Sequence, residues 1–319
     1  MRPDRDLRPR RQRGFTLAEL AIGFLIIGLL LAGAFMPLSS QIEVRNTADT
    51  RRTMDQIKEA LIGFAQSNGR LPCPARGATA AGTTDSSWGA AIAAGVEQYN
   101  TATKSCYIAL GVVPWSTLGI TETDAWGRRM TYRVAPAFAD DTTLTTWNSR
   151  LSAPGGSQSR ALPSPYSPAD QSPACPSTGA SNAPTPTPTL SSFALCTLGD
   201  IAVLTRSDSD HSVVTPLGTG LPAVIVSHGR NGNGAWQPTG IQLVAAAASS
   251  DELVNSGGTT TATPSGGYLS YIFYSRNYSP SATGCSDTSG TLFCEFDDIV
   301  AMISTNTLVA RMISAGRLP

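Results

Sequence analysis

The chain has 319 residues, of which 41% are hydrophobic and only 14% are charged. This length allows one large domain or two ordinary ones, and the apolar content is sufficient for a packed core. The formal net charge of zero excludes an overall basic or acidic character, but it conceals an uneven distribution.

Positive charge is concentrated at the N-terminus. The first 13 residues contain six arginines against Asp4 and Asp6, and removing them from the totals of 23 and 23 leaves 17 basic and 21 acidic residues. Basic residues that precede an apolar segment keep that end of a chain in the cytoplasm and send the rest across the membrane. Binding of nucleic acid is the weaker interpretation, because no aromatic-rich basic face follows the arginines.

An apolar segment covers residues 15–36, a stretch of 22 residues whose only charge is Glu19. As a helix it would be about 33 Å long, which is enough to cross a hydrocarbon core. Residues 1–14 precede it as a basic leader, so the usual order of a signal peptide, an apolar region before the cleavage site, is not present. An isolated acid in a bilayer costs a few kcal/mol, and Glu19 therefore predicts a specific partner.

The helical pattern continues beyond the apolar segment. Met54, Ile57, Leu61 and Ala65 follow the spacing of one helical face, and Gly69 supplies a C-terminal stop. We therefore predict one helix over residues 15–68, with a transmembrane half at 15–36 and an amphipathic half packed on the body of the protein.

The leader and the apolar segment, RGFTLAEL followed by AIGFLIIGLLLAGAFM, resemble the N-terminus of type IV pilins and type II secretion pseudopilins. The resemblance implies cleavage between Gly14 and Phe15 by prepilin peptidase and N-methylation of Phe15. It also assigns Glu19 to subunit assembly, which we interpret as pairing with the Phe15 amine of a neighbour. Implied partners are other pilin or pseudopilin subunits and the inner-membrane assembly platform.

Residues 69–319 are predicted to form a periplasmic or extracellular domain with α+β architecture, in which the long helix packs on an antiparallel β-sheet. Alternating or β-branched residues predict strands at 124–135, 200–205, 221–227 and 268–274, and a strand and short helix follow residue 298. Residues 152–192 are rich in Pro, Ser and Thr and predict an extended insertion.

Six cysteines in a domain that is predicted to be translocated indicate disulfide bonds, with fifteen possible pairings. We predict that sequence neighbours pair, since Cys285 and Cys294 flank the turn-like segment SDTSGTLF. A zinc site is the alternative, but no CxxC spacing occurs and the chain has two histidines. The six residues are Cys73, Cys106, Cys175, Cys196, Cys285 and Cys294.

Two further segments resemble major pseudopilins, DAWG before the strand at 130–134 and AVIVSHGRNGNG at 223–234. The same resemblance implies calcium binding near Asp297 and Asp298, with Asn231 as an added oxygen ligand. Arg230 and the absence of an acid within the loop argue against such a site, so we predict no cofactor. His228 is interpreted as part of a glycine-rich turn rather than as a catalytic base.

The sequence therefore favours a structural subunit, a minor pilin or pseudopilin, over an enzyme. The expected location is the bacterial inner membrane, with a single pass and a cytoplasmic N-terminus, followed by a pilus or pseudopilus. A membrane-tethered surface binding protein or adhesin with the same leader is the alternative. A tethered hydrolase has no supporting residues, since no GxSxG elbow or comparable set occurs.

Overall fold

The structure, a computed structural model, describes residues 16–89, 91–139, 193, 199–243, 249–257, 259–262, 269–290 and 292–318. Its helices are α1 Leu17–Asn68, α2 Trp115–Leu118, α3 Pro136–Ala139, α4 Ser250–Gly257 and α5 Thr305–Ser314. Four two-residue strands come first, β1 Thr84–Asp85, β2 Ile92–Ala93, β3 Tyr99–Asn100 and β4 Ser105–Cys106. The longer strands are β5 Leu110–Val112, β6 Thr131–Val134, β7 Ile201–Arg206, β8 Val214–Leu221, β9 Ala223–Ser227, β10 Thr259–Ala262, β11 Leu269–Tyr274 and β12 Ile299–Ile303.

The C-terminal half of α1 forms one wall of the hydrophobic core. Met54, Ile57, Leu61 and Ala65 are all buried there, as the helical spacing of these residues predicts. The helix ends at Asn68 because Gly69 adopts a positive φ of 74° and donates its N–H to the carbonyl of Ala65 at 2.7 Å. A left-handed residue at this position closes a helix without the steric cost of a Cβ atom.

The chain divides into two compact units, Met1–Asn46 and Thr47–Pro319, with the boundary inside α1. In the N-terminal unit, the described apolar side chains of α1 are exposed, from 51% at Ile26 to 87% at Leu17. Within the described part of the chain, no helix has the length and apolarity that a membrane crossing requires. The transmembrane half at 15–36 therefore stays a prediction.

The first large sheet has the strand order β12-β9-β6-β5, and every pairing in it is antiparallel. All five residues of β9 are buried, and Val224 and Ile225 belong to the same hydrophobic core as the buried face of α1. Leu308 and Met312 of α5 complete this core. The helix α5 is capped by Ser304, whose hydroxyl accepts a hydrogen bond from the N–H of Thr307 at 3.1 Å. These elements confirm the predicted α+β class and the final strand and helix.

The second large sheet has the order β10-β11-β7-β8 and is mixed, because β11 and β7 run parallel. The expected antiparallel pairing thus holds for every strand pair in the two large sheets except this one. A parallel neighbour needs a long connection, and here the connection from β7 to β11 contains β8, β9, α4 and β10.

Strand β6 departs from the predicted half-buried pattern, since all four of its residues are buried. The polar member Arg133 is 2% exposed because Asp200 pairs with it, with Nη2 and Oδ2 separated by 2.6 Å. Its guanidinium carbon also lies 3.1 Å from the ring centroid of Tyr271 on β11. The ion pair and the stacked ring let a charged side chain replace an apolar one where the two large sheets meet.

Disulfide bonds join Cys73 to Cys106 and Cys285 to Cys294, in agreement with the pairing of sequence neighbours. The third expected pair, Cys175 and Cys196, lies outside the described residues. The predicted insertion at 152–192 also lies outside them. The segment between Cys73 and Cys106 holds the β1-β2 and β3-β4 hairpins, where the sequence predicts little regular structure.

Candidate functional site

The start of α1 carries the first candidate site. Glu19 Oε2 accepts hydrogen bonds from the backbone N–H and the hydroxyl of Thr16, both at 2.9 Å, and the Glu19 N–H donates to Thr16 Oγ1 at 3.3 Å. These reciprocal bonds form a capping box, in which the side chains at the first turn satisfy backbone donors that have no helical partner. Gly14 and Phe15, the predicted processing residues, lie outside the described residues.

The capping box fixes where the Glu19 carboxylate lies. Both hydrogen bonds from Thr16 end on Oε2, so the second oxygen, Oε1, is not used by this motif. The helix that follows exposes large apolar side chains on all sides, including Leu20, Phe24 and Ile27. Apolar surface of this extent marks a site of protein–protein or membrane interaction. A carboxylate at the end of such a surface is suited to bind a cation.

A second candidate site is a cluster of three carboxylates in the C-terminal unit. Oxygen atoms of Glu252, Asp297 and Asp298 all lie within 4.8 Å of one another. Glu252 belongs to α4, whereas the two aspartates directly precede β12. The structure thus places beside Asp297 and Asp298 a third acid, Glu252, which no pattern in the sequence singled out.

Neutral amides provide most of the hydrogen bonds to this carboxylate cluster. Glu252 accepts from the side-chain amides of Asn231 and Asn233, at 3.0 and 2.9 Å, and from the N–H of Asp297 at 3.0 Å. Asp297 Oδ2 accepts from the N–H of Asn231 at 2.8 Å. Asp298 Oδ2 accepts from the amide of Asn255 at 2.8 Å. These bonds satisfy lone pairs of the carboxylates, but their donors are neutral and supply no positive charge.

The burial and the proximity of these carboxylates raise the pKa of Asp297 and of Glu252. Burial in a region of low polarity raises the pKa of Asp297 to about 7, and the neighbouring carboxylates Glu252 and Asp298 add to this effect. Burial likewise raises the pKa of Glu252, with Asp298 as the next cause. Asp297 Oδ1 and Asp298 Oδ1 are buried without a hydrogen-bond partner among the described residues. The cluster therefore carries an excess of acceptors.

His228 lies at the edge of this cluster and is fully buried. Its Nε2 is 2.8 Å from the hydroxyl of Thr131, and its Nδ1 is 3.5 Å from Asp298 Oδ1, too far for a good hydrogen bond. The burial of all three side chains gives no approach for a substrate, so the histidine has a structural position. Gly229 and Gly232 adopt positive φ angles of 52° and 67°, which confirms the predicted glycine-rich turn.

The residues present fit a hard divalent cation. Calcium binds through several oxygen atoms from carboxylates and carbonyls, and it tolerates irregular geometry. Three carboxylates and two unpartnered carboxylate oxygens match this preference. Arg230, which argued against the site, does not enter it, because its side chain is 55% exposed and lies 3.9 Å from Glu295 Oε1. When bound, calcium would be held by Glu252, Asp297 and Asp298 and would supply the missing positive charge.

Buried ion pairs hold α4 next to the cluster. Asp251 Oδ2 lies 3.1 Å from Arg276 Nε, and its Oδ1 lies 2.9 Å from Arg206 Nε. Arg276 Nη2 also pairs with Asp287 Oδ1 at 2.9 Å, inside the loop that the Cys285–Cys294 disulfide closes. Asp287 Oδ2 in turn accepts the N–H of Ser250 at 2.8 Å and thereby caps the start of α4.

The described residues combine an α+β body with a helix whose N-terminal part exposes apolar side chains. Residues 9–35 match the family model described as the prokaryotic N-terminal methylation motif, which identifies the kind of N-terminus that the chain carries. The chain thus carries a leader of the type IV pilin and pseudopilin kind, which marks a substrate of prepilin peptidase and suggests a structural subunit rather than an enzyme. No curated protein and no solved structure shows a significant match to the chain.

Proposed function

We propose that this protein is a minor structural subunit that is cleaved between Gly14 and Phe15, methylated at Phe15, and assembled into a type IV pilus or a type II secretion pseudopilus. The observation that carries the proposal is the methylation motif at residues 9–35, which runs directly into a helix with exposed apolar side chains. Its partners are prepilin peptidase, other subunits of the fibre and the inner-membrane assembly platform.

Two opposite charges would lie at the start of the mature helix. Cleavage after Gly14 creates a free ammonium group on Phe15, four residues from Glu19. In a low dielectric each of these charges is unfavourable alone, whereas a pair is tolerated. Thr16 already binds Glu19 Oε2, which orients the carboxylate so that Oε1 can accept the ammonium group of a neighbouring subunit. This pairing would set the stagger between subunits.

The arrangement along the chain supports a topology with one membrane pass. The basic leader, residues 1–14, remains in the cytoplasm, residues 15–36 cross the inner membrane, and residues 69–319 form the periplasmic domain. The two disulfide bonds seen in the structure suit an oxidising compartment. A body with long connections is better accommodated as a minor subunit than as the repeating subunit of a tightly packed fibre.

Mass spectrometry of the N-terminus tests the processing step. The full-length gene is expressed in a host with and without prepilin peptidase, and the mature chain is purified from the membrane fraction. We expect a chain that begins with methylated Phe15 only when the peptidase is present. Gly14→Val is the matched variant, because a branched side chain at the cleaved bond should prevent cleavage while leaving the apolar helix intact. A chain that keeps Met1–Gly14 in the presence of the peptidase would contradict the proposal.

A further inference from the structure

Trp88 lies in the turn that joins β1 to β2 and is 42% exposed. Its indole ring stacks on the ring of Tyr107, with 5.2 Å between the two centroids and 7° between the two planes. Tyr107 covers one face of the indole, so the exposed area lies on the opposite face and the ring edge. Tight turns are usually built from small polar residues, and a large aromatic side chain with one free face at such a place therefore calls for an explanation.

Polar contacts hold this turn in one conformation. Asp85 Oδ1 accepts hydrogen bonds from the backbone N–H of Ser87 at 3.1 Å and from the Ser87 hydroxyl at 2.7 Å. Arg76 Nη1 donates to Asp85 Oδ2 at 2.8 Å and also bonds to the Ser87 hydroxyl. Gly89 follows Trp88 with a positive φ of 79°, which reverses the chain. A surface that is ordered in advance binds a ligand without paying the entropy of ordering.

Hydrogen-bond donors lie next to the aromatic surface. The side chain of Arg76 is 37% exposed, and its bonds to described residues are made by Nη1, which leaves Nε and Nη2 for a ligand or for water. Asp85 balances the charge of the guanidinium group. The surface beside Trp88 therefore offers directional donors without a net charge.

The shape and the charge of this surface select the class of ligand. Proline-rich peptides dock in grooves lined by several aromatic rings, whereas the nearly parallel rings of Trp88 and Tyr107 leave one free face and no groove between them. Single-stranded nucleic acid needs a positively charged groove beside its stacking rings, and Asp85 removes that charge here. A pyranose ring has a flat face of C–H groups, which suits the negative face of an indole, and a rim of hydroxyl groups.

We propose that Trp88, supported by Tyr107 and bordered by Arg76, is a binding site for a neutral pyranose unit of a polysaccharide. The sugar ring stacks on the free face of Trp88, and its hydroxyl groups accept hydrogen bonds from the available guanidinium nitrogens. The Cys73–Cys106 disulfide ends directly before Tyr107 and fixes the ring that supports the indole. The inference does not depend on how the N-terminal segment is processed or assembled.

Isothermal calorimetry of the full chain with cellohexaose and with chitohexaose tests the site. Both are neutral β-1,4-linked oligosaccharides whose equatorial substituents leave flat C–H faces. A zwitterionic detergent is used, because detergents with glucose or maltose headgroups would compete for the site. We expect saturable binding of at least one sugar to the unmodified chain. Trp88→Leu keeps an apolar side chain but removes the flat ring, and should lower the affinity by about tenfold or more, whereas Trp88→Phe should retain most of it.

Tyr278→Leu is the matched control, since Tyr278 is 57% exposed and stacks on no ring among the described residues. It should bind the sugar as the unmodified chain does, and the melting temperature of each variant shows that it is folded. The proposal is overturned if the unmodified chain binds neither sugar, or if folded Trp88→Leu binds with unchanged affinity. Loss of Trp88→Leu from the fibre fraction, without sugar binding by the unmodified chain, would assign this surface to a subunit contact and would also overturn the proposal.

Discussion

Glu19→Ala is expected to abolish assembly of the protein into fibres while leaving membrane insertion and cleavage after Gly14 intact. The substitution removes the carboxylate that would pair with the Phe15 ammonium of a neighbour, and a buried unpaired ammonium group is strongly unfavourable. It also removes the acceptor of the Thr16 hydrogen bonds, so the N-terminal turn loses its capping box. Sheared fibres and membrane fractions, compared by immunoblot, provide the measurement.

Glu43→Ala is the appropriate control, because Glu43 is an acid of the same helix but lies beyond the apolar segment at 15–36. We expect this variant to appear in the fibre fraction at the level of the unmodified chain. If Glu19→Ala assembles normally, Glu19 does not set the stagger between subunits. The alternative of a membrane-tethered surface binding protein or adhesin would then be favoured, since such a protein needs the anchor but not the assembly contact.

Arg276→Met is expected to lower the free energy of unfolding by about 3–5 kcal/mol, because it leaves two buried carboxylates without one of their cations. Arg276 is 4% exposed and pairs with Asp251 and Asp287, both of which are 0% exposed. Its guanidinium carbon also lies 4.3 Å from the ring centroid of Phe293 and 4.4 Å from that of Phe296. Methionine retains much of the apolar stem, so the loss reports mainly the missing charge and donors.

Denaturant unfolding of the two chains, followed by circular dichroism, measures this loss. Arg311→Met serves as the control, since Arg311 pairs with Glu59 at 3.2 Å with exposed fractions of 51% and 66%. An exposed pair of this kind contributes about 0–1 kcal/mol. Equal effects of the two substitutions would show that the buried network around Arg276 does not hold the C-terminal part of the body together.

Glu19 and Arg276 lie in different parts of the molecule and meet different requirements, assembly in one case and folding in the other. The Glu19 substitution tests the segment through which this protein is proposed to contact other chains. The globular body can stay folded even if this substitution abolishes assembly. The Arg276 substitution tests whether α4, the disulfide-closed loop and the segment before β12 form one structural unit, independently of any partner. Together they separate a defect in assembly from a defect in folding.

The spacing of apolar residues was sufficient to predict the elements in which buried residues recur with one regular period. The stripe Met54, Ile57, Leu61 and Ala65 predicted one buried face of α1, and the structure places that face in the core. The runs of β-branched residues at β7, β9 and β11 were predicted for the same reason. By contrast, β8 contains Pro216 and two glycines and lies at a sheet edge, where no apolar alternation is required.

Helix α4 shows why pattern was not sufficient elsewhere. Its buried residues are polar, so apolar spacing could not reveal it; the available signal was Ser249 before Asp251 and Glu252, which is a capping sequence. The burial of Arg133 on β6 is a similar case, because a charged residue is predicted to be exposed unless its partner is known. Asp200 is that partner, 67 residues away in the sequence.

The sequence by itself determined the class of the N-terminus, a prokaryotic N-terminal methylation motif, because the leader charges, Gly14, Phe15, Glu19 and the apolar segment are adjacent in the chain. It also determined the helix stop at Gly69, since left-handed backbone there is a local requirement. Only the tertiary structure decided the carboxylate cluster and the buried ion pairs of α4. These depend on side chains that are distant in sequence. Their charges affect stability strongly only when folding removes them from water.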